Sequence, residues 1–289
     1  MESWPISFKS FAKINLNLFV GPPVTGGLHA LSSLFQTISL HDTVTISPAQ
    51  TTTVTIDDPG IPTVNTVSRA VAALAPRLRQ GWSVSVTKRI PLGAGLGGGS
   101  SNAATVLLAL NACENLGLPP SELRVLGAGI GSDVPFFTQG GHARVSGTGD
   151  RVAATPPVVP SPYIVLITSD THCSTQAVYR AYDALGHYDC LDTLSPTQQD
   201  SIGPNSLQKA VMQQYPDLNA LCTRIHTVIK PRSVWLTGSG STLYVPCTSA
   251  AVQDAICAAI APHLDRNHHQ LIPVECVWDT VSQFNCIAP

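Results

Sequence analysis

Apolar and polar residues alternate from Trp82 to Val86, and shorter stretches at Thr43–Ile46 and Thr53–Ile56 follow the same period of two. That period places one face of a strand in a core, so strands are predicted at all three, with another over Ile6–Val20. Val67, Val71, Leu74 and Leu78 recur at helical spacing and predict a helix over Asn65–Leu78. A further helix is predicted over Asn102–Leu116. Beyond residue 163 the pattern predicts strands at Tyr163–Ile167 and Leu271–Trp278, two strands within Val234–Val245 around Gly238-Ser239-Gly240, and helices at Thr175–Leu185, Leu207–Tyr215 and Ser249–Leu264.

Pro156, Pro157, Pro160 and Pro162 interrupt any regular element between the two halves. We therefore divide the chain into residues 1–157 and 158–289. Strands and helices mix in both parts without strict alternation, which predicts an α+β fold.

Composition narrows the function classes. Of 289 residues 12% are charged, the formal net charge is −2, and the longest basic run is Lys88-Arg89, which argues against a nucleic-acid partner. No apolar run approaches the roughly 18–20 residues of a membrane span, and Met1–Lys9 lacks the order of a signal peptide. Eight cysteines include no C-x-x-C pair and read as cytoplasmic thiols. His268-His269 has no further ligand at metal spacing and reads as a solvated loop.

Candidate chemistry concentrates in Pro91-Leu92-Gly93-Ala94-Gly95-Leu96-Gly97-Gly98-Gly99-Ser100-Ser101, between a predicted strand and a predicted helix. Glycines let backbone N–H groups converge on a ligand. The following helix adds free N–H donors and a partial charge of roughly +0.5, a combination suited to phosphate. Ser100 and Ser101 are candidates to cap that helix, bind a phosphate oxygen or reach a metal ion. Gly93, Gly95 and Gly98 also satisfy G-x-G-x-x-G, but the acid at the right distance, Glu114, falls near a helix end rather than a strand end, against a dinucleotide fold. No Lys-Ser or Lys-Thr closes a Walker loop.

Residues 91–104, ending Ser100-Ser101-Asn102-Ala103-Ala104, resemble the phosphate-binding motif of the GHMP kinases, the superfamily of galactokinase, homoserine kinase and mevalonate kinase. Phe11-Ala12-Lys13-Ile14-Asn15-Leu16-Asn17-Leu18 is similar to its first motif and Leu236-Thr237-Gly238-Ser239-Gly240-Ser241-Thr242 to its third. The triple glycine before Ser-Ser-Asn-Ala-Ala resembles the branch whose acceptor is CDP-methylerythritol, in non-mevalonate isoprenoid synthesis. The resemblance implies a nucleotide-binding N-terminal domain, a ferredoxin-like C-terminal domain, ATP and Mg²⁺ as cofactors, and an alcohol as acceptor.

It also implies site residues. Taken alone, Asp133 reads as a turn-forming Asp at a helix end, with Pro135 expected to hold Val134 extended; the match of Gly131–Phe137 to the catalytic-aspartate segment implies a general base. Lys13, in an apolar strand, reads as snorkelling; the resemblance makes it the partner of Asp133. Asn65 suits a helix N-cap, and its counterpart contacts adenine. Asn15, Leu28, His29, Thr175 and Tyr179 are the implied acceptor residues, whereas no Mg²⁺ ligand is spelled out. Three positions depart from the pattern: Leu28 replaces a tyrosine that stacks on cytosine, and Ser206 and Gln208 replace two acids. A GHMP kinase for homoserine or a sugar, and a non-catalytic nucleotide-binding protein, stay open as alternatives.

Overall fold

The computed structural model describes residues 4–24, 26–158 and 162–285. Pro160, the first residues of the Met1–Lys9 segment and Cys286 lie outside them.

One long strand organises the first sheet. Where the sequence predicts a single strand over Ile6–Val20 there are two, β1 (Ile6–Asn15) and β2 (Phe19–Pro23). Asn17 breaks the ladder between them, its Oδ1 accepting the Leu34 N–H (2.8 Å) and its Nδ2 donating to Ser201 O (2.9 Å). Both pair antiparallel with β3 (His29–Ala49), which absorbs the short strand predicted at Thr43–Ile46. The alternation that marks a strand survives only in the last part of β3. Ser33–Ile38 is buried on both faces, so its polar residues hide the period.

With β4 (Thr53–Ile56), β5 (Gly81–Thr87) and a hairpin not anticipated from the sequence, β6 (His142–Gly147) and β7 (Arg151–Ala154), the sheet runs β4-β5-β3-β6-β7. Trp82, Val84 and Val86 of β5 point into the core as their spacing predicts.

Helices α1 (Thr66–Leu74), α2 (Gly98–Cys113), α3 (Pro120–Ala128) and α4 (Val134–Phe137) accompany this sheet. Asn65 caps α1, and Pro76 converts its end to a 3₁₀ turn, so the helix stops short of Leu78. Val134, expected to be extended, opens α4; Pro135 occupies the first turn, where its missing N–H costs nothing.

Glu114, weighed above as a ribose-binding acid, is a structural group. Its buried carboxylate accepts from Trp82 Nε1 (2.8 Å) and Arg79 Nε (2.9 Å). Burial pushes this carboxyl up, but the bonds from Arg79 and Trp82 outweigh it and hold it below the usual range. Its stabilisation is therefore complete above the ordinary glutamate value and is lost as pH falls through the lowered one. Glu114→Ala, which strands the Trp82 N–H, should cost about 1–3 kcal/mol at neutral pH. Denaturant titrations should show that gap closing in acid; an equal gap at both pH values would refute the assignment.

The second sheet contains β8 (Tyr163–Ser169), β9 (Trp235–Leu236), β10 (Leu243–Pro246) and β11 (His269–Glu275) in the order β11-β8-β10-β9. Its helices are α5 (Thr175–Ala184), α6 (Pro196–Gln199), α7 (Gln208–Gln214), α8 (Pro216–Ile229) and α9 (Ala250–Ile260); α10 (Ser282–Asn285) returns to the first core, where Phe284 stacks on Phe8. Pro262 ends α9 in a 3₁₀ turn before the predicted Leu264. Helix α8 was legible in Leu218, Leu221, Ile225 and Ile229, all buried, yet was not predicted.

A third apolar cluster welds the sheets: Ile14, Leu16 and Leu34 pack with Ile164, Leu166 and Tyr244, whose hydroxyl donates to Leu16 O (2.9 Å). The result is an α+β architecture of two sheets, each with its own helices, joined through this cluster. Among the described residues no helix is long and apolar enough to cross a membrane.

Candidate active site

The cleft at this junction has a volume of about 900 Å³ and takes walls from β1, β3, the glycine loop, α5 and the Gly238-Ser239 turn. Its glycine-loop wall is anchored by a residue the sequence reading missed. Asp42, fully buried in β3, accepts the Arg89 and Ile90 N–H groups on one oxygen (2.6 and 2.8 Å) and Asn102 Nδ2 on the other (2.9 Å). The same carboxylate pairs with the Lys88 ammonium, which borders the cleft. A solitary acid inside a strand was the available signal, and its effect is to fix where the glycine loop begins.

All of Pro91–Ser100 lines the cleft. Helix α2 starts at Gly98, four residues before the predicted Asn102, because the loop glycines themselves form its first turn. Ser101 N–H donates to Gly97 O (2.9 Å), leaving the N–H groups of Gly98, Gly99 and Ser100 without helical acceptors. No acid lies in that turn to offset the helix dipole. Ser100 faces the cleft, but Ser101 is buried and its hydroxyl accepts from Ser10 Oγ (2.8 Å), so its side chain does not reach a ligand. Neither serine caps α2; Gly97 does, at φ +71°. The missing side chains at Gly95 and Gly97 make room for protein rather than ligand, since a Cβ there would meet Thr237 O and the Phe137 ring respectively.

Lys13 and Asp133 come together on this loop. Lys13 N–H donates to Leu96 O (3.0 Å), and its side chain, 5% exposed, stays inside rather than snorkelling. Lys13 Nζ lies 3.3 Å from Asp133 Oδ2, donates to Asn15 Oδ1 (2.6 Å) and sits 4.5 Å from the centroid of the Phe35 ring. Asp133 holds the N-cap position of α4 without making a side-chain cap bond. The turn-forming role therefore does not account for its carboxylate, which opens onto the cleft. Asn15 is fixed through its Nδ2 to Ser33 Oγ (2.9 Å) and its N–H to Thr237 Oγ1 (2.9 Å), the latter from the third motif.

Beyond this pair Leu28, His29, Thr175 and Tyr179 line the cleft. The Tyr179 and His29 rings lie 5.0 Å apart, and His29 Nε2 meets Asp183 Oδ1 at 2.7 Å. Burial, with the charge of Asp133 adding to it, pushes the Tyr179 phenol up to about 12, so it remains a hydrogen-bond donor at neutral pH. Thr175 Oγ1 is 2.9 Å from Ser239 Oγ and joins α5 to the third motif.

Asn65 stands apart from these groups. Its Oδ1 accepts from Val67 and Ser68 N–H, and its Nδ2 donates to Pro62 O (2.9 Å). Its neighbour Thr66, not singled out from the sequence, ties α1 to the loop through Gly99 O (2.7 Å) and borders the cleft. Of the two departures near residue 206, Ser206 bonds Leu18 O (3.0 Å) and Asp189, so a carboxylate supplied from elsewhere in the chain occupies its surroundings.

Free backbone N–H groups at a helix N-terminus, set beside a lysine–aspartate pair between two α+β units, define a GHMP-type small-molecule kinase. Residues 65–141 match the GHMP kinases N terminal domain. The chain is 34% identical over 245 residues to the 4-diphosphocytidyl-2-C-methyl-D-erythritol kinase of Neisseria gonorrhoeae, covering 82% of this chain and 84% of the relative. It is also 34% identical over 275 residues to that of Gloeobacter violaceus, covering 89% and 90%. A crystal structure of 4-(cytidine 5'-diphospho)-2C-methyl-D-erythritol kinase superposes with a TM-score of 0.74 at 27% identity, over 93% of this chain and 99% of that one. The chain belongs to the 4-diphosphocytidyl-2-C-methyl-D-erythritol kinase family.

Proposed function

We propose that the protein transfers the γ-phosphoryl group of ATP to the 2-hydroxyl of 4-diphosphocytidyl-2-C-methyl-D-erythritol, in the cytoplasm, as a step of non-mevalonate isoprenoid precursor synthesis. The observation that carries the reading is the Lys13–Asp133 pair at 3.3 Å beside the free N–H groups of α2. Asp133 takes the proton of the acceptor hydroxyl as its oxygen bonds to the γ-phosphorus and the bond to the β–γ bridging oxygen breaks, releasing ADP. Lys13 pairs with Asp133 and offsets negative charge at the acceptor oxygen. The N–H groups of Gly98, Gly99 and Ser100 hold the phosphates, and the loop from Pro91 with Thr66 flanks the nucleotide, Asn65 acting on it through the cap that sets the start of α1. Asn15, Leu28, His29, Thr175 and Tyr179 form the acceptor side.

Among the described residues no three His, Cys, Asp or Glu side chains gather into a metal cage. Ser100 Oγ, which faces the cleft at the start of α2, would help hold Mg²⁺, which would neutralise phosphate charge.

Assaying ADP release against a panel of alcohols tests the reading. Turnover is expected with 4-diphosphocytidyl-2-C-methyl-D-erythritol and not with homoserine or a hexose. Turnover of one of those without the cytidyl compound would overturn it, and no ATP consumption with any alcohol would favour a non-catalytic nucleotide binder.

A further inference from the structure

The ladder that presents Lys13 is interrupted just before it. Strand β1 runs in register with β3 from Ile6↔Ile46 to Phe11↔His41 and resumes at Ala12↔Ile38, so Ser39 and Leu40 of β3 are left over at the Phe11-Ala12 step. A bulge lets the pairing on one side shift against the other, and a slip of one residue turns a side chain to the opposite face of the sheet. The aim of Lys13 therefore depends on whatever pins this bulge. Asp133 has a matching weakness, because it opens α4, and a helix of four residues makes too few hydrogen bonds to hold itself.

One stretch of chain braces both. After β11 the chain leaves the second sheet and crosses to the first as residues 276–285. At the crossing Glu275 N–H donates to Ser39 Oγ inside the bulge (2.9 Å), Cys276 bridges Ile38, and Val277 N–H donates to the carbonyl of Thr37, the residue paired with Lys13 (2.8 Å). On the other side of the bulge, Gln283 of α10 accepts the Lys9 N–H on Oε1 (2.9 Å) and donates from Nε2 to Lys9 O (3.0 Å), as the peptide group of a neighbouring strand would. The same stretch reaches the end of α4. Thr280 Oγ1 donates to Gln139 O (3.3 Å), two residues past Phe137, and it packs so closely that a Cβ on Gly140 would collide with it. Thr37 N–H donates to Gly141 O (2.8 Å), which joins the two supports. Phe284, 6% exposed and stacked on Phe8, seats this strap in the first core.

Resting on the functional reading above, we propose that Thr280 and Gln283 are positioning residues for the phosphoryl transfer: the strap from the second unit holds the register of β1 and the end of α4, which together set Lys13 against Asp133. Both residues border a small recess with Ser101 and Phe137 rather than the cleft itself. Their loss should therefore fall on the chemical step and spare the binding of either ligand, since orientation of the catalytic pair is what they supply.

The experiment measures kcat and both KM values for wild type, Thr280→Val and Gln283→Leu, two half-buried positions where the exchange leaves the core intact. Each variant should lose about tenfold in kcat, a part of the ~10²-fold that a misplacement of about 1 Å costs, with the KM for ATP and for the acceptor nearly unmoved. Thr280→Ser keeps the hydroxyl and should restore kcat. Glu114→Ala, destabilised at the C-terminal end of α2, controls for stability and should keep its kcat at temperatures where it is folded. Normal kcat in both strap variants, beside a slow Asp133→Asn, overturns the positioning role and leaves the functional reading standing. An equal fall in Glu114→Ala, or no recovery in Thr280→Ser, also overturns it and makes the strap a matter of stability. If wild type phosphorylates no alcohol, the functional reading fails and this one with it.

Discussion

Asp133→Asn is expected to keep its fold and its affinity for ATP while kcat falls by at least ~10²-fold, the lower end of what general-base catalysis contributes. The structure makes this substitution unusually clean. The carboxylate makes no cap bond to α4, and its side chain is 30% exposed, so the exchange leaves no buried group stranded. Lys13, the buried partner, keeps Asn15 Oδ1 and the Phe35 ring when the charge at 133 goes. Steady-state kinetics beside a melting curve checks it: near-normal kcat in a folded variant would remove Asp133 from the chemistry. Lys13→Met should be similarly slow, and the double variant hardly slower than either single one, because the two act as a unit.

That pair shows how much of the site the sequence carries. Both residues stand in motifs with family counterparts, and the fold brings segments 120 residues apart to within 3.3 Å, which no local pattern announces. The glycine loop was equally legible, but the purpose of its glycines was not. From the sequence they read as space for phosphate, whereas the structure fills that space with Thr237 O and the Phe137 ring. The same turn toward the interior removes Ser101 from the ligand-facing set.

What escaped the sequence altogether are groups whose role depends on distant partners. Asp42, the anchor of the loop, is one acid in a strand until Arg89, Ile90 and Asn102 converge on it. Gln283 looks like any polar residue until the fold delivers Lys9 to it. The elements missed follow the same logic. Strand β3 conceals its period because both of its faces are buried midway, and the β6–β7 hairpin gains its stability from pairing with β3 rather than from its own pattern.

Gly97→Ala should cost far more activity than stability. At φ +71° an L-residue is strained by about 1–2 kcal/mol. Gly117, at φ +66° with nothing within 4 Å of where a β-carbon would stand, isolates that strain, and Gly117→Ala should lose stability alone, with kinetic constants unchanged. At Gly97 the added carbon also lies 2.9 Å from the Phe137 ring and 3.2 Å from Lys13 Cε. Phe137 ends the short helix that Asp133 begins, so one methyl pushes on both members of the catalytic pair as well as on the residue that opens α2. A displacement on the order of 1 Å at such a site costs about 10²-fold in rate, and the phosphate-facing N–H groups shift with it. We therefore expect kcat/KM to fall by at least ~10²-fold, with a raised KM for ATP, in a protein that melts only slightly lower than Gly117→Ala. Kinetics for Gly97→Ala that match Gly117→Ala would show that Phe137 and Lys13 yield without consequence, and Gly97 would then be required for its backbone conformation alone.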